Sequence, residues 1–228
     1  MRILFIGVNP KDTRQLRLKD EINIIKDVLD SQPIKDKYKL IVRDASTKRT
    51  MRRYLNRHKP NILHISGHGN DDNTIVFEDG NGYSETIYTQ QLGDFLANYN
   101  KYLKCVVLSA CFSLNDIENF SNDIHCVIGM KTSIGNDKAM IFSSSFYDSI
   151  SSGESFEAAF KIAKDEISLS QEEDDDILKM IIKEDIIKET SAPVAPNINW
   201  KLVGFILLVI IIIGLLYFVM TPSLKTIE

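Results

Sequence analysis

Ile62-Leu63-His64-Ile65-Ser66-Gly67-His68-Gly69 and Val106-Val107-Leu108-Ser109-Ala110-Cys111 share one layout. Each is a largely apolar run that ends in small residues and then a reactive side chain. Strands buried on both faces of a parallel sheet read as continuous apolar runs rather than as alternation. The sites of open α/β sheets lie beyond the carboxyl ends of such strands. If the two runs are neighbours in one sheet, His68 and Cys111 stand on the same rim. A thiol beside an imidazole is a nucleophile with its base.

The flanking sequence supplies the rest of such a sheet. Residues 3–8 read as a first buried strand, stopped by Asn9-Pro10. Residues 18–29 follow with Leu18, Ile22, Ile25 and Leu29 at the spacing of a one-faced helix. A second strand over 38–42 and a basic helix over 47–57 lead into the His68 strand. Alternating strands and helices call for a parallel sheet with crossover helices. Residues 73–78 and 82–88, around Asp79-Gly80-Asn81, read as a hairpin. It either walls a substrate groove or decorates the rim. A helix over 90–99 precedes the Cys111 strand, and 125–129 is a further strand. Ala139, Phe142, Phe146 and Ile150 stripe a helix over 137–150, and 156–167 is another amphipathic helix.

At 228 residues the chain has room for one packed domain and an appendage. The formal net charge of -4 and the 25% charged content include no basic block of the kind that tracks nucleic acid, so no nucleic-acid partner is expected. Three cysteines, an odd count, argue against a paired disulfide framework. The acidic run 172–176 reads as a solvated loop. Residues 177–188 have a helical pattern that suits packing on the domain, a stalk, or pairing with a second copy, and 190–199 is a linker. Residues 202–219 carry no charge, with Trp200, Lys201 and Tyr217 near their ends, as a single membrane span requires. Lys183, Lys188 and Lys201 before it, against Lys225 after it, place the preceding domain in the cytosol. The expected organisation is a catalytic domain over 1–169, an acidic loop, amphipathic helix and linker over 170–200, a transmembrane helix over 201–220, and a short tail.

Cys111 ends an apolar strand, and a helix expected over 114–120 would aim its N-terminal dipole at the thiol and lower its pKa. Gly67 and Gly69 flank His68, which lets the chain bend and a peptide approach closely. Cys105 and Cys126 read as small core hydrophobes, and His64, inside its strand, as packed or hydrogen-bonded support. His125 and Cys126 point to opposite faces. No metal-ligand spacing is present. Gly7-Val8-Asn9-Pro10 lacks the glycines of a dinucleotide fingerprint, and no cofactor is expected.

Further matches run in order along residues 3–167: Asn9-Pro10, Leu16-x-Leu18-x-x-Glu21, Val127-Ile128-Gly129-Met130, Asp137-Lys138-Ala139, Phe146-Tyr147 and Gly153-Glu154-Ser155. With the His68 and Cys111 runs they resemble the CHAT domain, a caspase-like cysteine peptidase family of the clan that holds separase, caspases and gingipain-type enzymes. The resemblance implies an α/β three-layer sandwich with a mostly parallel sheet between helices. It also implies a dyad, with His68 as base, Cys111 as nucleophile and Gly69 contributing to the oxyanion site. Asp137 would either shape the pocket for the residue before the cleaved bond, favouring a basic side chain, or cap its helix; the cap is preferred. The connection after Cys111, residues 112–123, departs from the alanine-rich helix of many relatives. The functional expectation is a membrane-anchored cysteine endopeptidase of bacterial defence or cell-death signalling. It would cut partner proteins and be triggered by an activating partner or by self-association. The alternative is a silent scaffold recruiting partners to the membrane.

Overall fold

The apolar runs pair as buried strands because each has apolar side chains on both faces and pairing satisfies the backbone N–H and C=O groups along its edges. A computed structural model of the protein describes residues 1–31, 37–44, 47–111, 120, 123–132, 135–170 and 177–183. In chain order the first elements are β1 (Arg2–Gly7), α1 (Leu18–Asp30), β2 (Lys39–Arg43), α2 (Lys48–His58) and β3 (Ile62–Ser66). Next come β4 (Gly69–Asn70), β5 (Thr74–Glu78), β6 (Ser84–Tyr88) and α3 (Thr89–Ala97). The remainder are β7 (Cys105–Ser109), β8 (Cys126–Met130), α4 (Asn136–Ser152), α5 (Phe156–Ser170) and β9 (Leu178–Ile182).

Among the described residues the main sheet has the order β2-β1-β3-β7-β8-β9. The first five strands are parallel, and β9 runs antiparallel to β8. Each face is covered. Ile25 of α1, Phe142 and Phe146 of α4 and Ala163 of α5 pack on one side. Met51 and Leu55 of α2 and Leu92 and Leu96 of α3 pack on the other. This is the expected three-layer sandwich. The hairpin forms too, as part of a small antiparallel sheet β4-β5-β6 whose Ile75 and Phe77 join the second core layer.

The expected helix over 177–188 is corrected: residues 178–182 are a strand. Leu178 and Met180 face one core layer and Ile181 the other, so the same apolar residues satisfy a period of two as well as a helical one. The open edge of β8 decides between them, with Ile128 opposite Met180. By contact the compact unit runs from Met1 to Asp185. No helix among the described residues is long and apolar enough to cross a membrane. The expected helix over 114–120, apart from Phe120, and the acidic run, the linker, the apolar segment 202–219 and the tail lie outside the described residues.

Candidate active site

Strand order creates the site. β1 has β2 on one side and β3 on the other, so the crossovers diverge there and leave a crevice beyond the strand ends. β3 and β7 pair with Ser66 opposite Ser109. Two residues past those serines come His68 and Cys111. Both ladders continue beyond the strands, through Val8 N–H to Ser66 O at 2.9 Å and Gly67 N–H to Ser109 O at 3.1 Å. His68 and Cys111 line one small cavity of about 40 Å³, together with Leu16, Arg17, Glu21 and Ser109 among others. That volume holds a water or two, so a substrate lies across its mouth rather than inside it.

Gly69 packs directly on the backbone of Cys111. A Cβ at this position would overlap the Cys111 carbonyl oxygen and come 3.1 Å from its carbonyl carbon. Among the described glycines only Gly82 and Gly153 have positive φ. Close approach, not a left-handed backbone, therefore demands glycine at position 69.

The ring of His68 is oriented by a group that sequence reading does not reveal. Its Nε2 lies 2.6 Å from the carbonyl oxygen of Arg14. A carbonyl only accepts, so Nε2 carries the proton and Nδ1 is left as the basic nitrogen. Arg14 sits in the loop after β1, which the Asn9 side chain closes. Asn9 Nδ2 donates to Leu16 O at 3.2 Å, and Leu16 N–H donates to Asn9 Oδ1 at 3.0 Å. Thr13 and Gln15 both donate to Pro10 O. The hairpin clamps the same loop: Ser84 donates its N–H and hydroxyl to the Asp12 carboxylate at 2.9 and 2.7 Å, and Lys11 N–H donates to Gly82 O. The Ser84 hydroxyl is the main reason the Asp12 carboxyl lies below its ordinary range.

Beneath the cavity lies a buried polar cluster. Glu21, only 4% exposed, accepts from Ser66 Oγ at 2.6 Å and from Ser143 Oγ at 2.7 Å. His64 Nε2 is 3.2 Å from Glu21 Oε1, an ion-pair distance but off the line of a good hydrogen bond. Its Nδ1 meets the Tyr147 hydroxyl at 3.0 Å. Burial pushes the Glu21 pKa up, but His64 and the two serines outweigh it and hold the carboxyl below its ordinary value. Burial, reinforced by Cys105 and Glu21, pushes the Tyr147 phenol well above its usual range. The support role expected for His64 is what the structure contains.

The other expected residues sort themselves by burial. Cys105 and Cys126 are fully buried and stand opposite each other on β7 and β8. Burial and the neighbouring Cys126 drive the Cys105 thiol well above the ordinary range, which disqualifies it as a nucleophile. Cys111 is partly exposed. The expected helix cap at Asp137 is corrected. Helix α4 starts at Asn136 with Gly135 as its cap residue and no side-chain cap bond. Asp137 lies in the first turn, where a negative charge suits the dipole, and pairs with Arg17 Nη1 at 3.2 Å. It flanks the cavity that Arg17 lines. Arg14, Asn9, Glu21 and Ser66 were not picked out as site residues from sequence. Backbone carbonyls carry no residue code, and a buried carboxylate is indistinguishable from a surface one until its partners are known.

Fold and rim together define a class: an α/β sandwich of caspase type with a thiol and an imidazole at the ends of neighbouring parallel strands. The comparisons with known proteins agree. The family model for the CHAT domain matches residues 9–208. A curated relative from Gillisia limnaea, described as "Probable protease", is 28% identical over 153 residues, which are 66% of this chain and 27% of that one. The chain thus spans about a quarter of the length of that relative. Among solved structures, caspase-1 from Spodoptera frugiperda superposes with a TM-score of 0.55 at 9% identity, covering 80% of this chain and 86% of that one. A secreted C11 cysteine protease from Bacteroides thetaiotaomicron gives 0.55 at 10%, covering 80% and 66%. At such identities the likeness is one of fold. The chain belongs to the CHAT domain family and has the caspase-like fold of the clan CD cysteine peptidases.

Proposed function

We propose that the protein is a cysteine endopeptidase in which His68 and Cys111 form the catalytic dyad. The observation that carries this reading is their shared cavity at the ends of β3 and β7, with the His68 ring held by Arg14 O. His68 Nδ1 takes the Cys111 thiol proton, and the thiolate attacks the substrate carbonyl carbon. The C–N bond then breaks as the imidazolium returns that proton to the leaving amine. A water, deprotonated by the same nitrogen, hydrolyses the thioester and regenerates the thiol. The Gly69 N–H, beside the Cys111 backbone, stabilises the developing oxyanion. In this reading Asp137, whose pairing with Arg17 supports a charge-recognition role, exchanges that partner for a basic side chain preceding the cleaved bond.

In the same reading the apolar segment 202–219 spans a bilayer and tethers the domain to the cytoplasmic face, where it cuts partner proteins. A bacterial defence or cell-death pathway would switch it on through an activating partner or self-association. The segment's length and lack of charge support the anchor. The test is to digest a proteome-derived peptide library with the full chain and with Cys111→Ala, reading new N-termini. Cleavage by the wild type alone is the expected result, and equal cleavage by both removes the peptidase assignment.

A further inference from the structure

Two elements position His68, and they are separate pieces of chain. Its backbone belongs to the end of β3, two residues past Ser66. Its ring is held by Arg14 O, from the loop that leads into α1. The hydrogen bond that selects its tautomer therefore depends on how α1 and its leading loop sit relative to β3. One buried side chain of α1 bonds directly to the end of β3. Glu21, in the first turn of α1, reaches across to Ser66 Oγ at the end of β3 and, through its other oxygen, to Ser143 Oγ on α4.

We propose that Glu21 is a positioning residue for His68, acting by locking α1 in register with β3. The inference rests on His68 being the base of the peptidase reading. A carboxylate this deeply buried is costly unless fully paired, and an apolar residue of similar size generally serves stability as well or better. The fold nonetheless spends two serine hydroxyls and His64 on it, at the floor of the cavity that His68 and Cys111 line. Its contacts join three walls of that cavity: α1 with its cap residue, which contribute Leu18 and Arg17; the end of β3; and α4, which contributes Ala139 and Met140. With its oxygens occupied by these partners, Glu21 acts through Ser66 and α1 rather than by touching substrate.

The test uses the full chain labelled with 15N-histidine, which has four histidines to assign. In the wild type, His68 gives the Nε2–H tautomer with a hydrogen-bonded ring proton. In Glu21→Ala that proton exchanges and the ring samples both tautomers, while kcat falls on the order of 10–100-fold and KM moves far less. Ser66→Ala produces the same pair of changes, and the double variant is no worse than either single one, as for two groups acting through one contact. Glu21→Gln keeps one acceptor oxygen and recovers part of the loss; it also carries the test if the alanine variant fails to fold. An unchanged His68 tautomer and kcat in Glu21→Gln, with only a lower Tm, overturns the proposal, as do additive effects of the Glu21 and Ser66 variants. The ring spectrum is read without substrate, so a wild type that has the bonded proton yet cleaves nothing removes the peptidase reading alone.

Discussion

A carboxyl group held below its ordinary pKa by folding stores stability that acid removes. For Glu21 the contribution is complete above the unfolded value of about 4.3 and is lost as pH falls through the lowered folded value. Thermal melts between pH 6 and 2 should show the wild type losing Tm more steeply below pH 5 than Glu21→Gln, which has no carboxyl to protonate; parallel curves contradict this. Gly69→Ala is expected to cost about 1–3 kcal/mol by forcing a methyl group against the Cys111 carbonyl. Urea unfolding reads that cost, and labelling of Cys111 by a peptidyl electrophile should collapse with it. At this scale the sequence was informative for groups whose identity is their chemistry. His68 and Cys111 could be picked out because each follows an apolar run at the matching position, which sets an imidazole and a thiol on one rim. Arg14 could not, because its contribution is a carbonyl that every residue carries. The helix cap expected of Asp137 failed because α4 opens at Asn136, which puts the cap position at Gly135, two residues earlier.

Loops and edges decide the rest of the site's architecture. The β1–α1 loop is closed on itself by Asn9 and clamped from outside by the hairpin through Asp12 and Ser84. Asn9→Ala should raise amide exchange across residues 10–16 and lower kcat together, since the same loop presents Arg14 O to His68; exchange that rises with kcat unchanged separates the loop from catalysis. Most elements were legible because their apolar periodicity had one solution, as in β3, β7 and the stripe of α4. The strand β9 was not, because Leu178, Met180, Ile181 and Ile182 fit two periods and only the unpaired edge of β8 selects one. A chain truncated after Ser170 loses this strand and the burial of Ile177 and Leu178, at about 1.5–3 kcal/mol each. Its unfolding transition should fall well below that of a chain ending at Asp185.

For the molecule as a whole, order of strands and order of chemistry coincide. The reversal of direction at β1 opens the crevice, the loop after β1 supplies the carbonyl that holds the His68 ring, and the ends of the next two strands of the sheet lead to His68 and Cys111, the proposed base and nucleophile. In the proposed function the apolar segment 202–219 is an anchor: the full protein should remain with membranes through a carbonate wash, and deletion of 202–219 should release it, whereas a full chain released by the wash contradicts the anchor. The central claim is that the imidazole of His68 activates the thiol of Cys111, and it is tested most directly by the rate at which a peptidyl electrophile labels Cys111 at neutral pH. His68→Ala should slow that labelling by at least about 100-fold, in line with loss of general-base assistance, while leaving Tm within a few degrees of the wild type. Equal labelling rates in the folded wild type and the folded variant would contradict the account.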